Sequence, residues 1–209
     1  MKKNFLLTLV AVGLSTMMTG CFGGGAGIDS KVDAKVLENK EGVQKLYDAV
    51  LKSMGEQAGK VNEVTIVVQN PADKGNSGDA FLFLYVDVQD PKNPKQLLRH
   101  LFHGEVGGWQ PAQQLTVDVS GSDDEKASFR LEDELFDFKT LVSGEKLHKL
   151  IVDAYEKDNK EPEKYAYRYV DNVTISIEGF RISVKSKLAS NDQIIDQTYR
   201  YDLEGNHKD

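Results

Sequence analysis

Three residues in the first half of the chain have the types and spacing to hold a divalent ion. His100 and His103 stand three apart, so on a helix they share a face, and Glu105 adds an oxygen donor two residues further on. Two imidazoles and a carboxylate make a chemically sound partial set for zinc, but a zinc site takes a further protein ligand or two. His148 and His207 stand at no spacing that would supply one. The competing reading is a short amphipathic helix in which Leu97, Leu98, Leu101 and Phe102 cap a sheet while both histidines face water. Trp109, between Gly107-Gly108 and Pro111, also has two readings. It is a core plug around which the glycines let backbone pack closely, or it forms a ligand platform together with Phe102. In the second half Tyr165, Tyr167 and Tyr169 alternate with Ala166 and Arg168. Extended, this stretch sets three rings on one face and Lys164 and Arg168 on the other. Tyrosine is enriched at binding hot spots and is equally a sheet residue, so the ladder is either a protein-binding surface or an added edge strand.

Other chemistry is harder to assemble. There is no Gly-x-Ser-x-Gly turn, and the sole thiol is Cys21 near the start, so the sequence offers no nucleophile with a partner base. Asp123, Asp124, Glu125, Glu132, Asp133, Glu134 and Asp137 crowd residues 122–140, yet they lack the alternating ligands and the glycine of an EF-hand loop. They read as a solvated connector with one strand over 127–131. A non-enzymatic protein is expected, with no cofactor.

The elements that must position these groups come in a repeating order. A helix is predicted over 40–57, where Val43, Leu46, Tyr47, Val50, Leu51 and Met54 recur at helical spacing, with Asn39 as its cap and Glu41 at the positive end of its dipole. Strands are predicted over 63–69, 81–88 and 113–119. A second helix from 144 to 157 carries Leu147, Leu150, Ile151, Ala154 and Tyr155, and its cap Ser143 lies 104 residues after Asn39, with Glu145, Lys149 and Leu150 repeating Glu41, Lys45 and Leu46. Residues 172–177 echo 63–68 at an offset of 109, a hairpin through Glu178-Gly179 leads to a strand over 181–188, and Gln197, Asp202 and Gly205 repeat Gln113, Asp118 and Gly121 at an offset of 84. The expectation is an α+β protein made of two tandem helix-plus-three-stranded antiparallel sheet repeats, 39–121 and 143–209, joined by the acidic connector 122–142. In element order the mature part is similar to tandem PepSY-like and β-lactamase-inhibitor-like modules. The first repeat carries an insertion: 24 residues separate Val88 from Gln113, against 8 between Leu188 and Gln197. It holds the histidines and Trp109, and a loop mounted on a rigid sheet is a usual carrier of binding.

The chain starts with Lys2 and Lys3, continues in an apolar run from Phe5 to Met18, and reaches Met18-Thr19-Gly20-Cys21. A spanning helix needs about 20 apolar residues, more than this run provides. These 21 residues resemble a bacterial lipoprotein signal peptide with its lipobox. The resemblance implies that residues 1–20 are cleaved, that Cys21 carries diacylglycerol and usually an acylated amino group, and that the protein is anchored in the cell envelope. Phe22, where many inner-membrane lipoproteins have aspartate, implies the periplasmic face of the outer membrane. Residues 21–38 then form the lipidated cysteine and a flexible tether, glycine-rich over 22–27, with 28–38 either extending the tether or forming a short strand in which Val32, Ala34 and Val36 alternate. With Cys21 consumed by lipid no disulfide is expected, so stability falls to a packed core.

Loss of residues 1–20 removes Lys2 and Lys3 and no acids, taking the formal charge from −7 to −9. Such a surface is repelled by phosphate backbones, which excludes nucleic acid as a partner. The expected partners are the membrane, through the anchor, and a protein or envelope component. The other functions weighed are a metal-binding protein using His100, His103 and Glu105, and an inhibitor or immunity protein acting on a secreted enzyme.

Overall fold

The computed structural model describes residues 7–11, 28–119, 121–157 and 161–208. Cys21 and the glycines of 22–27 lie outside the described residues. Both long helices form where the caps and periodicity place them. Helix α1 is Lys40–Met54, and the Asn39 side chain accepts from the backbone N–H groups of Glu41 and Gly42. Three helical segments, α2 (Asp123–Ser128), α3 (Phe138–Leu141) and α4 (Gly144–Glu156), follow later in the chain, and Ser143 caps α4 by accepting from Lys146 N–H.

Among the described residues all the strands join one antiparallel sheet. They are β1 (Leu7–Ala11), β2 (Lys31–Val32), β3 (Val61–Gln69), β4 (Ala80–Gln89), β5 (Leu97–His103), β6 (Gly108–Trp109), β7 (Gln113–Val119), β8 (Tyr165–Ser176), β9 (Gly179–Leu188), β10 (Ile194–Tyr201) and β11 (His207–Lys208). The order is β1-β7-β5-β4-β3-β8-β9-β10-β11, with β2 on β4 and β6 on β5. The two halves meet where β3 runs antiparallel to β8, from Glu63 opposite Ser176 to Val67 opposite Asn172. β1 runs along the outer edge of β7, Leu7 opposite Val119.

Strand alternation sorts the side chains onto two faces. On one face Val64, Ile66 and Val68 of β3, Leu82, Leu84, Val86 and Val88 of β4, Val173 and Ile175 of β8, and Phe180, Ile182 and Val184 of β9 meet Val43, Leu46 and Val50 of α1 and Leu147, Leu150 and Ile151 of α4. This is the main core, and each fully buried aliphatic side chain in it contributes about 1.5–3 kcal/mol of transfer free energy. A smaller cluster on the opposite face joins Leu97, Leu115 and Leu131, with Val117, Phe129 and Leu135 packed on it.

Three expectations are corrected. The insertion over 89–112 is not a helix-bearing loop: its Leu97–His103 stretch is strand β5, seated between β4 and β7, so the sheet is larger than three strands per half and Gln113–Val119 lies one place further out. The connector is not simply solvated, and it has no strand over 127–131. It forms α2 and a 3-10 turn at Leu131–Glu134, and Leu131, Phe136 and Phe138 are buried. Phe136 exchanges backbone hydrogen bonds with Val61 at 3.0 and 2.8 Å. Phe136 and Phe138 join the main core, while Leu131, Phe129 and Leu135 pack on the smaller cluster. Over 28–38 the tether reading gives way to the strand reading: β2 pairs with β4, and a 3-10 turn at Val36–Glu38 buries Leu37.

Candidate functional site

The proposed metal ligands are not brought together. On strand β5 residues three apart point to opposite faces. His100 stands opposite Val86 with Leu98 and Phe102 on the helix side, while His103 stands opposite Phe83 on the other side, ring against ring at 4.8 Å. Burial holds the His100 pKa below its ordinary value against the pull of Asp87. Glu105 sits in the turn after β5, beside the exposed Val106. Among the described residues no three His, Cys, Asp or Glu side chains cluster as a metal site.

Phe102 is 3% exposed and meets the Trp109 ring edge-on at 5.7 Å, and Trp109 packs against the main core. The plug reading therefore fits both residues, and neither offers a free platform. The turn after β5 stands in water, where Val106 is 66% exposed, and so do residues 91–95 before β5.

The tyrosine ladder is split. A β-bulge between Tyr165 and Tyr167, and a second between Val170 and Asn172, shift the register of β8 on β9, and a bulge turns the residues beyond it to the other face. Tyr167 and Tyr169 stay together, ring centroids 6.2 Å apart, and both hydroxyls donate to Asp73, at 2.8 and 2.6 Å. Lys185 of β9 bridges Asp73 and Asp171 at 3.2 and 3.1 Å. Burial and the bonds to Asp73 raise the Tyr167 pKa to about 12 and push Tyr169 higher still. Tyr169 is 1% exposed, so this group is a buried clamp holding the Pro71–Lys74 turn to the sheet. It is not the exposed ladder; the added-strand reading fits, since residues 165–170 extend β8 beyond its pairing with β3 and pair with β9.

Tyr165 turns to the helix face, where it meets a residue whose role the sequence did not suggest. Arg168 is 5% exposed, its guanidinium lies 4.8 Å from the ring centre of Tyr155 on α4 and 5.7 Å from that of Tyr165, and none of its nitrogens has a hydrogen-bond partner. Directly opposite on β9 stands Ser186, also buried, its hydroxyl likewise unpartnered. From the 3-10 turn before α1 comes Glu38, with one buried, unbonded carboxylate oxygen. Burial is the main cause raising the Glu38 pKa to about 7; Lys35 and Arg168 pull it down and Asp33 pushes it up. Polar groups buried without partners are rare in folded proteins; here Arg168 and Ser186 face each other across the β8–β9 ladder, and Glu38 lies within electrostatic reach of Arg168. Glu38 also lines an open cleft of about 590 Å³ with Asp33, Lys35, Asn39, Glu41 and Lys45.

On the far side of the sheet an arginine is paired: Arg99 donates to both oxygens of Asp87 at 2.8 and 2.7 Å. Arg168 has no such carboxylate partner among the described residues. The sequence signal for it was weak, since an arginine between tyrosines in a strand reads as an outward-facing charge.

No family model matches the chain, and neither the curated proteins nor the solved structures contain a match.

Proposed function

We propose that the chain is a lipid-anchored, non-enzymatic protein of the bacterial cell envelope, held at the periplasmic face of the outer membrane through Cys21, whose folded part binds a protein or an envelope component. The observation that carries this reading is the run from Lys2 to Cys21, with its basic start, apolar stretch and Thr19-Gly20-Cys21 end, followed by the glycines of 22–27. Two or more acyl chains, at about 0.8 kcal/mol per buried methylene, make anchoring effectively permanent. On this reading β1 departs with residues 1–20, and the outer edge of β7 opens to water.

Tyr167 and Tyr169 donate to Asp73 and Tyr201 donates to Asp153 at 2.7 Å, so these three hydroxyls serve to hold the fold together. The mature part is read as two tandem repeats, 39–121 and 143–209. The sheet order runs outward from the β3–β8 pair as β4-β5 on one side and β9-β10 on the other, with α1 and α4 each preceding its own strands. On that scheme β5 corresponds to β10, and β7 is a strand added outside it.

Cys21→Ser tests the anchor. The wild-type chain is expected in the membrane fraction and the variant in the soluble fraction or retained as uncleaved precursor. A variant that is processed and membrane-bound like the wild type would refute the reading.

A further inference from the structure

We propose that Arg168, Ser186 and Glu38 form a binding site for a small zwitterionic carboxylate of the α-amino acid class, entered from the cleft that Glu38 lines. Tyr155 and Tyr165 lie against the guanidinium at 4.8 and 5.7 Å, leaving its in-plane N–H edge as the part able to bond. That edge is a planar fork, matched in geometry and charge by a carboxylate. Among the described residues nothing bonds to it: Nε and both Nη atoms are buried and unbonded.

A single water cannot complete this site. It has two lone pairs for a group with five N–H donors, and it brings no charge to balance a buried cation. A carboxylate answers both needs, with the Ser186 hydroxyl, opposite Arg168 in the β8–β9 ladder, as a further donor. The remaining buried oxygen belongs to Glu38, which accepts but does not donate when ionised. An anion with no positive group would be repelled there, whereas an ammonium beside the carboxylate satisfies Glu38. The ligand that matches cation, hydroxyl and carboxylate together therefore carries both charges. Its side chain would extend past Glu38 into the cleft of about 590 Å³, among Asp33, Lys35, Asn39 and Lys45. The Arg168 nitrogens are closed off in this state, so entry requires the Val36–Glu38 turn to lift. That turn belongs to the segment leading back to the anchor.

The test is calorimetric titration of the full mature chain in detergent, at pH 8, with glycine, acetate and inorganic phosphate. Glycine is expected to bind at one site, at least about tenfold more tightly than acetate, since an unpaired buried charge costs more than a decade in affinity. Arg168→Lys, which keeps the charge but loses the fork, should weaken glycine binding by about tenfold or more. Glu38→Gln, at a half-buried position that does not threaten folding, should bring glycine and acetate to within about threefold of each other. An ordered water only, seen as no heat with any of the three probes, overturns the proposal. So does phosphate binding more tightly than glycine, or glycine binding that Glu38→Gln leaves unchanged.

Discussion

Replacing Glu38 by glutamine should make the protein more stable above neutral pH and remove one component of its pH dependence. A carboxyl raised from 4.5 to about 7 in the folded state binds a proton that the unfolded chain has already released across that window. The folded state then holds more protons than the unfolded state, so stability falls as pH rises from about 4.5 to about 7 and stays at the lower level above it. At about 1.4 kcal/mol per pKa unit the full displacement corresponds to roughly 3 kcal/mol, and because the side chain is only half-buried, screening reduces this to about 1–2 kcal/mol. Glutamine keeps the shape, cannot ionise, and removes the cost. The assay is urea unfolding of the mature chain in ligand-free buffer at pH 5, 6, 7 and 8, wild type against Glu38→Gln. The difference between them should grow in favour of the variant from pH 5 to pH 8 and plateau. A difference independent of pH would show that folding leaves the Glu38 pKa unshifted, and one favouring the wild type at pH 8 would show that Glu38 is ionised and well paired in the fold; either result would refute the reasoning from burial.

Other substitutions probe the scaffold. Asp73→Ala strands the buried hydroxyl of Tyr169 and unpairs one side of Lys185, and should cost about 2–4 kcal/mol by urea unfolding; Tyr169→Phe, which removes one donor and leaves no cation stranded, should cost about half as much. Gly179 ends the β8–β9 turn at φ 117°, with the Tyr201 carbonyl where a Cβ would stand, so Gly179→Ala should lower the unfolding midpoint by more than about 1 kcal/mol of stability. Phe102→Ala should cost about 3–5 kcal/mol as a core cavity, while Val106→Asp, at the exposed tip of the same insertion, should leave stability unchanged. If envelope pull-downs lose a partner with Val106→Asp, the tip is the contact surface; identical partner sets would move the contact elsewhere on the sheet.

The helices were readable because their signals are local: Asn39 with Glu41 and Ser143 with Glu145 mark starts, and the apolar spacing marks the buried side. Strand β5 was not, because both its faces are covered. Leu98, His100 and Phe102 look toward the helices while Leu97, Arg99, Leu101 and His103 look the other way, so no polar alternation survives, and Leu97, Leu98, Leu101 and Phe102 imitate a helical stripe. The connector misled through its charge: Phe129, Leu131, Leu135, Phe136 and Phe138 decide its packing, although acids outnumber them. The tyrosine ladder failed on a single residue, since the bulge at Ala166 depends on the pairing with β9, which no local pattern announces. Arg168 was invisible for the same reason. Its burial follows from the second bulge, at Asp171, and from the approach of α4 and of the turn before α1, two contacts far apart in sequence.

The most direct test of the account is the mass of the mature chain extracted from membranes. A chain that begins at Cys21 and carries the added mass of a diacylglyceryl group and a fatty acyl group is the expected result. An unmodified chain that begins at Met1, with Leu7–Ala11 still available to β7, would contradict it.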